Sequence, residues 1–342
     1  MTPPTPDHPP RPHGERTLRQ AHPVPGGALA SPVESVRQLL RGLVDYAGLF
    51  PPAKLGMAEA VAAFARHRRS AQAWGLSRFI CPVSRLDEWS EAASPWLSAL
   101  PDSPDAPPPE PWCLSVLIDG PLDASLSAIE RFNAGHHAGN GHRHALSAVV
   151  DTVEVKVQNT QTVELALERL PEELYPFFEV PAEADYRGFA ACLAGQGAGA
   201  KLRTGGIVPE AFPSCQRLAE FMQVMHAAEV PFKATAGLHH PVRGEHTLTY
   251  EPDAPRATMH GFVNVFVGAA MLHAGVVGGP GLVELLQETD PAAFVFGPEW
   301  AAWRSLRVSV EQIAQARENF AICFGSCSYD EPVNELAVMA RS

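Results

Sequence analysis

The stretch TVEVKV, residues 152–157, decides the fold class. Three valines, Val153, Val155 and Val157, alternate with two charged residues, Glu154 and Lys156. Side chains along a β-strand point to opposite faces in turn, so this strand has one apolar face and one charged face. In a barrel wrapped by helices the apolar face must meet the helices, which turns Glu154 and Lys156 inward.

Seven further runs read as strands: RFICPV (78–83), CLSVLID (113–119), PFFEVP (176–181), AKLRTG (200–205), PFKATAG (231–237), AFVFG (293–297) and AICFGS (321–326). Segments of helical period lie between them, among them PLDASLSAIERF, TVELALERL, DYRGFAACLAG, SCQRLAEFMQVMHAAE and SVEQIAQARENF. HGFVNVFVGAAMLHAG also reads as helix, on alanine content and length, although its β-branched residues leave a strand as the competing reading. DEPVNELAVMA supplies the last helix. This alternation belongs to parallel α/β architecture, and eight strands predict a closed (β/α)8 TIM-like barrel. A doubly wound open sheet shares the alternation but carries no GxGxxG fingerprint here. GAGAK (197–201) precedes a strand instead of following one.

Upstream, SPVESVRQLLRGLV (31–44) and MAEAVAAFARHRRSAQ (57–72) predict a helical extension, with Ser31 as N-cap and Pro32 at the first helical position. Residues 1–30 are rich in proline and polar residues, a composition expected of a disordered tail, leaving 31–342 as a single barrel domain. The hydrophobic content of 46% supports a large core. A formal charge of −12 argues against nucleic acid or an anionic membrane as partner, so any cationic site is local. No apolar run approaches a membrane span and no signal-peptide core begins the chain, which gives a cytoplasmic expectation. The cysteines at 81, 113, 192, 215, 323 and 327 form no CxxC pair and read as reduced core thiols.

The parity that turns Glu154 and Lys156 inward does the same for Glu179, for Lys201 and Arg203, and for Lys233 and Thr235. Four cations and two carboxylates then share the barrel interior of an acidic protein. Such a cluster is either a structural ion layer or a site for a small anionic metabolite. Branched aliphatic residues fill a barrel at less desolvation cost, which favours the site. A buried amine beside other cations has a lowered pKa and can act as nucleophile or base near neutrality. Lys201 and Lys233, on consecutive strands, fit that description. Glu154 or Glu179 would move protons, and Arg203 would grip an oxyanion.

AKLRTGG followed by PFKATAGL resembles the paired lysine strands of class I, Schiff-base aldolases of the deoxyribose-phosphate aldolase type. The resemblance covers mainly residues 150–240. It implies Lys201 as the imine lysine and Lys233 as its activating neighbour, with Glu154 in the place of the acidic strand. FGSCS (324–328) is similar to a small-residue phosphate loop, which implies Ser326 and Ser328 as anion ligands.

Gly237-Leu238-His239-His240-Pro241 falls at the C-terminal end of a strand, the face where such barrels place their active sites. His239 is a candidate acid–base residue and His240 a candidate substrate ligand. The long segment from Arg243 through Tyr250 to Met259 would close over a ligand. His136, His137, His142 and His144 precede a strand and so belong to the opposite face, where a solvated insertion is the expectation. Asp119 and Asp45 are placed near the active face without a secure role. Asp330-Glu331-Pro332 starts a helix that either binds an anion or is simply capped.

The expected activity is a carbon–carbon lyase, aldolase-like, acting through a barrel lysine on a small phosphorylated or carboxylated carbonyl compound, with no cofactor and no metal. An acid–base or metal-assisted isomerase or hydrolase, and a non-catalytic binder of an anionic metabolite, are the alternatives. A homo-oligomer is compatible with the sequence.

Overall fold

In the computed structural model, which describes residues 32–97, 110–136 and 147–339, eight parallel strands close into a barrel. In chain order the strands are β1 (Val44–Tyr46), β2 (Leu76–Pro82), β3 (Trp112–Leu117), β4 (Ala148–Lys156), β5 (Tyr175–Glu179), β6 (Gly199–Arg203) and β7 (Phe232–Thr235). β8 (Gly244–Thr247), β9 (Arg256–Met259), β10 (Phe294–Phe296), β11 (Trp300–Trp303), β12 (Leu306–Ser309) and β13 (Ala321–Ser326) follow. The barrel order is β1-β13-β7-β6-β5-β4-β3-β2, so β13 closes the ring between β7 and β1. The α/β barrel expected from the alternation is therefore present.

The helices are α1 (Glu34–Leu40), α2 (Met57–Arg68), α3 (Leu86–Leu97), α4 (Leu122–Gly135), α5 (Thr160–Leu167), α6 (Tyr186–Leu193), α7 (Cys215–Ala227), α8 (Phe262–His273), α9 (Pro280–Gln287), α10 (Val310–Asn319) and α11 (Asp330–Met339). Local chemistry starts several of them. Asn159, Asp185 and Ser214 each accept a backbone N–H at the start of α5, α6 and α7, and Ser309 forms a capping box with Gln312 on α10. Helix α1 begins at Glu34 after Val33, later than the Ser31–Pro32 start expected. The expected tail and His137, His142 and His144 lie outside the described residues.

One strand assignment is corrected. AFVFG contributes β10, which pairs antiparallel with β11 in a three-stranded sheet outside the barrel. Only Gly297–Glu299 separates the two strands, and a connection that short permits a hairpin but no parallel crossover. The eighth barrel strand is β1, three residues long and too short to show alternation in sequence. Helix α8 explains the extra layer. Every residue from Phe262 to Leu272 is buried, so α8 has no solvent face and needs α9, α10 and β12 outside it.

The core lies between strands and helices, where Phe324 of β13 packs against Phe262 and Phe266 of α8 at ring separations of 5.7 Å. A smaller, separate cluster is formed by Tyr175, Phe177, Ile322 and Cys323, the last in register with Lys233. Gly199 makes room for it, since a Cβ there would lie 2.5 Å from the Phe177 ring. All six cysteines are free, and among the described residues no helix is long and apolar enough to cross a membrane.

Phe324→Ala removes a fully buried ring and should cost about 3–5 kcal/mol in urea unfolding. Leu165→Ala, at a side chain 49% exposed, should cost less than about 1 kcal/mol. Equal losses would contradict this placement of the core.

Candidate active site

Strand register brings the two lysines side by side: Glu179 pairs with Lys201 across β5–β6, Lys201 with Lys233 across β6–β7, and Lys233 with Cys323 across β7–β13. Their amines meet at one carboxylate. Lys201 Nζ lies 2.6 Å from Glu154 Oε2 and 2.7 Å from Glu179 Oε2. Lys233 Nζ donates to Glu154 Oε1 at 2.7 Å, to Asp45, and to Ser115 Oγ at 3.4 Å. Ser115 Oγ in turn donates to Glu154 Oε1 at 2.7 Å. Both oxygens of Glu154 are thereby saturated by side chains from β3, β6 and β7.

Asp45 anchors the other end. Its Oδ1 accepts the backbone N–H of Arg78 at 3.0 Å, and its Oδ2 accepts from Lys233 and from the Cys323 thiol at 3.3 Å. Arg78 completes a second layer through a two-pronged contact with Asp151, 2.7 Å from Nε and 2.9 Å from Nη2. Asp151 sits where the β3–β4 register slips by one residue, an extra residue whose side chain is re-aimed into the barrel end. Lys201, Lys233, Asp45 and Glu154 are each no more than 3% exposed.

Burial alone would push the Glu154 carboxyl upward. Lys201 and Lys233 outweigh it and hold Glu154 well below its ordinary 4.5. Burial alone would likewise push the Lys233 amine down, but Asp45 and Glu154 drive it well above its ordinary 10.5. The expectation of a depressed amine is therefore corrected at Lys233. Sequence parity supplied the neighbouring cation but not Asp45, and two carboxylates against one amine reverse the sign. The tally changes as well, because Lys156 and Arg203 lie exposed on the rim and the cluster around Glu154 holds two lysines against three carboxylates, Asp45, Glu154 and Glu179.

Lys156, Arg203 and Thr235 occupy the C-terminal rim of β4, β6 and β7. Lys156 and Arg203 are exposed and Thr235 half-buried. Gly325 leaves the mouth open beside Thr235, since a Cβ there would lie 3.1 Å from its hydroxyl and 3.0 Å from Ile80.

The histidines belong to a different arrangement. His239 Nδ1 is 3.2 Å from Glu331 Oε2 and His240 Nδ1 is 2.9 Å from Glu335 Oε2, both partners on α11. His240 also stacks on His246 at 3.5 Å, within the β8–β9 hairpin into which the expected closing loop folds. Among the described residues no hydrogen bond joins these histidines to the lysine network. His136, at the end of α4, bonds to Ser90 and Ser147.

The serine loop departs from its expectation. Gly325 faces the barrel, so the next residue, Ser326, faces the helices beside Tyr46. Its buried hydroxyl has no hydrogen-bond partner among the described residues. Ser328 Oγ accepts the Glu331 N–H and caps α11, so the capping alternative describes it.

Asp45, Ser115, Cys323, Arg78 and Asp151 were not identified as site residues from sequence. A usable signal existed for Asp45 alone, an acid between Val44 and Tyr46 in an otherwise apolar run. No protein-family model matches this chain, and no curated protein matches it.

Asp45→Asn removes one of the two carboxylates that hold the buried Lys233 ammonium and should cost about 3–5 kcal/mol in urea unfolding at neutral pH. Asp119→Asn, where an exposed carboxylate bonds to Ser84, should cost less than about 1 kcal/mol. The network also fixes a pH profile. Glu154 lies below its unfolded value, so its contribution is complete above 4.5 and is lost as pH falls. Lys233 lies above its unfolded value, so its contribution is complete below 10.5 and is lost as pH rises through the folded value. Thermal melts across pH should show losses at both ends, and a stability that climbs steadily through the alkaline range would refute the Lys233 assignment.

Proposed function

We propose that this chain is a class I aldolase-like carbon–carbon lyase in which Lys201 forms an imine with a small anionic carbonyl substrate. The observation that carries the reading is the pair of in-register lysines on β6 and β7 sharing Glu154 inside a closed barrel. Lys233, pinned by Asp45 and Glu154, stays an ammonium and serves as a fixed positive neighbour. Lys201 stands between two carboxylates, one of which can take its proton. The Lys233 ammonium, on the neighbouring strand, faces the same Glu154 carboxylate as Lys201.

In this reading Lys201 passes a proton to Glu179, 2.7 Å away, and the free amine attacks the substrate carbonyl. Loss of water from the carbinolamine gives the protonated imine. The electron pair of the bond between the α and β carbons then flows toward the protonated imine, leaving an enamine, while a carboxylate takes the proton of the β-hydroxyl and the β carbon departs as the aldehyde. Protonation of the enamine carbon and hydrolysis return the free lysine. Glu154 and Glu179 are the groups within reach for these transfers.

One observation favours a second reading. His239 held by Glu331 is a histidine oriented by a carboxylate, as an acid–base isomerase would use without a covalent step. Trapping separates the two. Incubation with a panel of small aldehydes, keto acids and sugar phosphates under borohydride, followed by intact mass and peptide mapping, should place a stable adduct on Lys201. No adduct with any compound, or one confined to surface lysines, would reject the imine route.

A further inference from the structure

The barrel mouth is electrically lopsided. On one arc, Lys156 ends β4 and Arg203 ends β6, both on the inward parity of Glu154 and Lys201. Both are exposed, and neither has an ion-pair partner among the described residues. Glu179 on the intervening strand is turned to Lys201 and leaves them uncompensated. On the next arc round the ring, His239 and His240 after β7 hold Glu331 and Glu335 of α11, the helix that follows β13. Burial would raise the Glu331 carboxyl, but its bond to His239 and the charge of that ring keep it below its usual range. The carboxylates of that arc are taken up by the histidines, and its two serines are a helix cap and a hydroxyl facing the helices, which leaves no free cation there among the described residues.

We infer that the anionic group of the substrate docks on Lys156 and Arg203 over the β4–β6 arc, not on the β13 loop, with the carbonyl end pointing down toward Lys201. This rests on the imine reading only for the destination of the carbonyl. Lys156 is in register with Glu179, and Glu179 with Lys201, so Lys156 rises from the level of the reactive amine. Arg203 lies two residues further along β6, about 6.6 Å higher. Strands β4 and β6 stand about 10 Å apart, a gap two long cationic side chains can bridge onto one oxyanion. The guanidinium offers a paired contact to two oxygens and the ammonium a point charge to a third, which suits a phosphate ester or a carboxylate at one end of a short chain.

The test is calorimetric titration of the full chain with inorganic phosphate, and separately with acetate, at low ionic strength. Wild type, the K156A/R203A double variant and S326A are compared. Removing two exposed, unpaired cations should leave the melting temperature unchanged, and each single variant guards against a fault in the double. Saturable binding of at least one anion is expected in the wild type, at least about tenfold weaker in the double variant and within twofold in S326A. Which anion binds more tightly distinguishes a phosphate ester from a carboxylate. Absence of saturable binding, an unchanged double variant, or loss in S326A would overturn the assignment. Borohydride trapping with propanal, which has no anionic group, tests the imine at Lys201 apart from the subsite when the adduct is mapped to the Lys201 peptide. An adduct in both wild type and double variant with unaltered anion binding sinks the subsite and spares the imine. The expected binding pattern without any adduct does the reverse.

Discussion

Glu154 sits between two ammonium groups, and the interior of this barrel is arranged around that contact. Lys201 and Lys233 each approach one of its oxygens at 2.6–2.7 Å, and both pairs are buried. Removing Glu154 takes a carboxylate from both ammonium groups at once in a buried site, so β4, β6 and β7 are fixed by one another. Closing the ring through β1 matters for the same reason, because Asp45 comes from that strand and satisfies the second side of Lys233. Branched aliphatic residues could fill the same volume at lower desolvation cost. The retention of five charged groups in direct contact is the physical reason for reading the interior as a reaction site.

The same geometry gives the two lysines unequal positions. Lys233 lies against Asp45, Glu154 and the Ser115 hydroxyl with its amine over the Phe177 ring at 5.8 Å, packed on every side by partners that favour the charged form. Lys201 shares Glu154 but otherwise faces Glu179, which is next to the rim residue Lys156. In the proposed reading the first is a fixed charge and the second exchanges a proton beneath the rim cations Lys156 and Arg203.

Much of this was legible in the sequence because strand parity is a strict rule. Alternation in TVEVKV, AKLRTG and PFKATAG placed Glu154, Lys201 and Lys233 in one interior without reference to any contact. Parity failed where strands are short or slip. VDY is too brief to alternate, so Asp45 was placed near the active face but not inside the barrel against Lys233, and the sign of the Lys233 shift was lost with that contact. Asp151 occupies a register slip, which no periodicity reports. AFVFG has the composition of a barrel strand, and only the three-residue connection to WAAW reveals a hairpin. FGSCS has the composition of an anion loop, but the alternation that turns Gly325 inward turns Ser326 outward, and Ser328 is taken up by the first turn of α11.

The central claim is that carboxylates lock Lys233 as an ammonium and thereby leave Lys201 as the lysine for chemistry. Lysine side-chain 15N NMR, with Lys233 assigned through a Lys233→Arg variant, tests it most directly. The account predicts that the Lys233 ammonium signal persists above pH 10.5, the ordinary midpoint for a lysine. Deprotonation of Lys233 below about pH 9 would contradict it and make Lys233 the reactive amine.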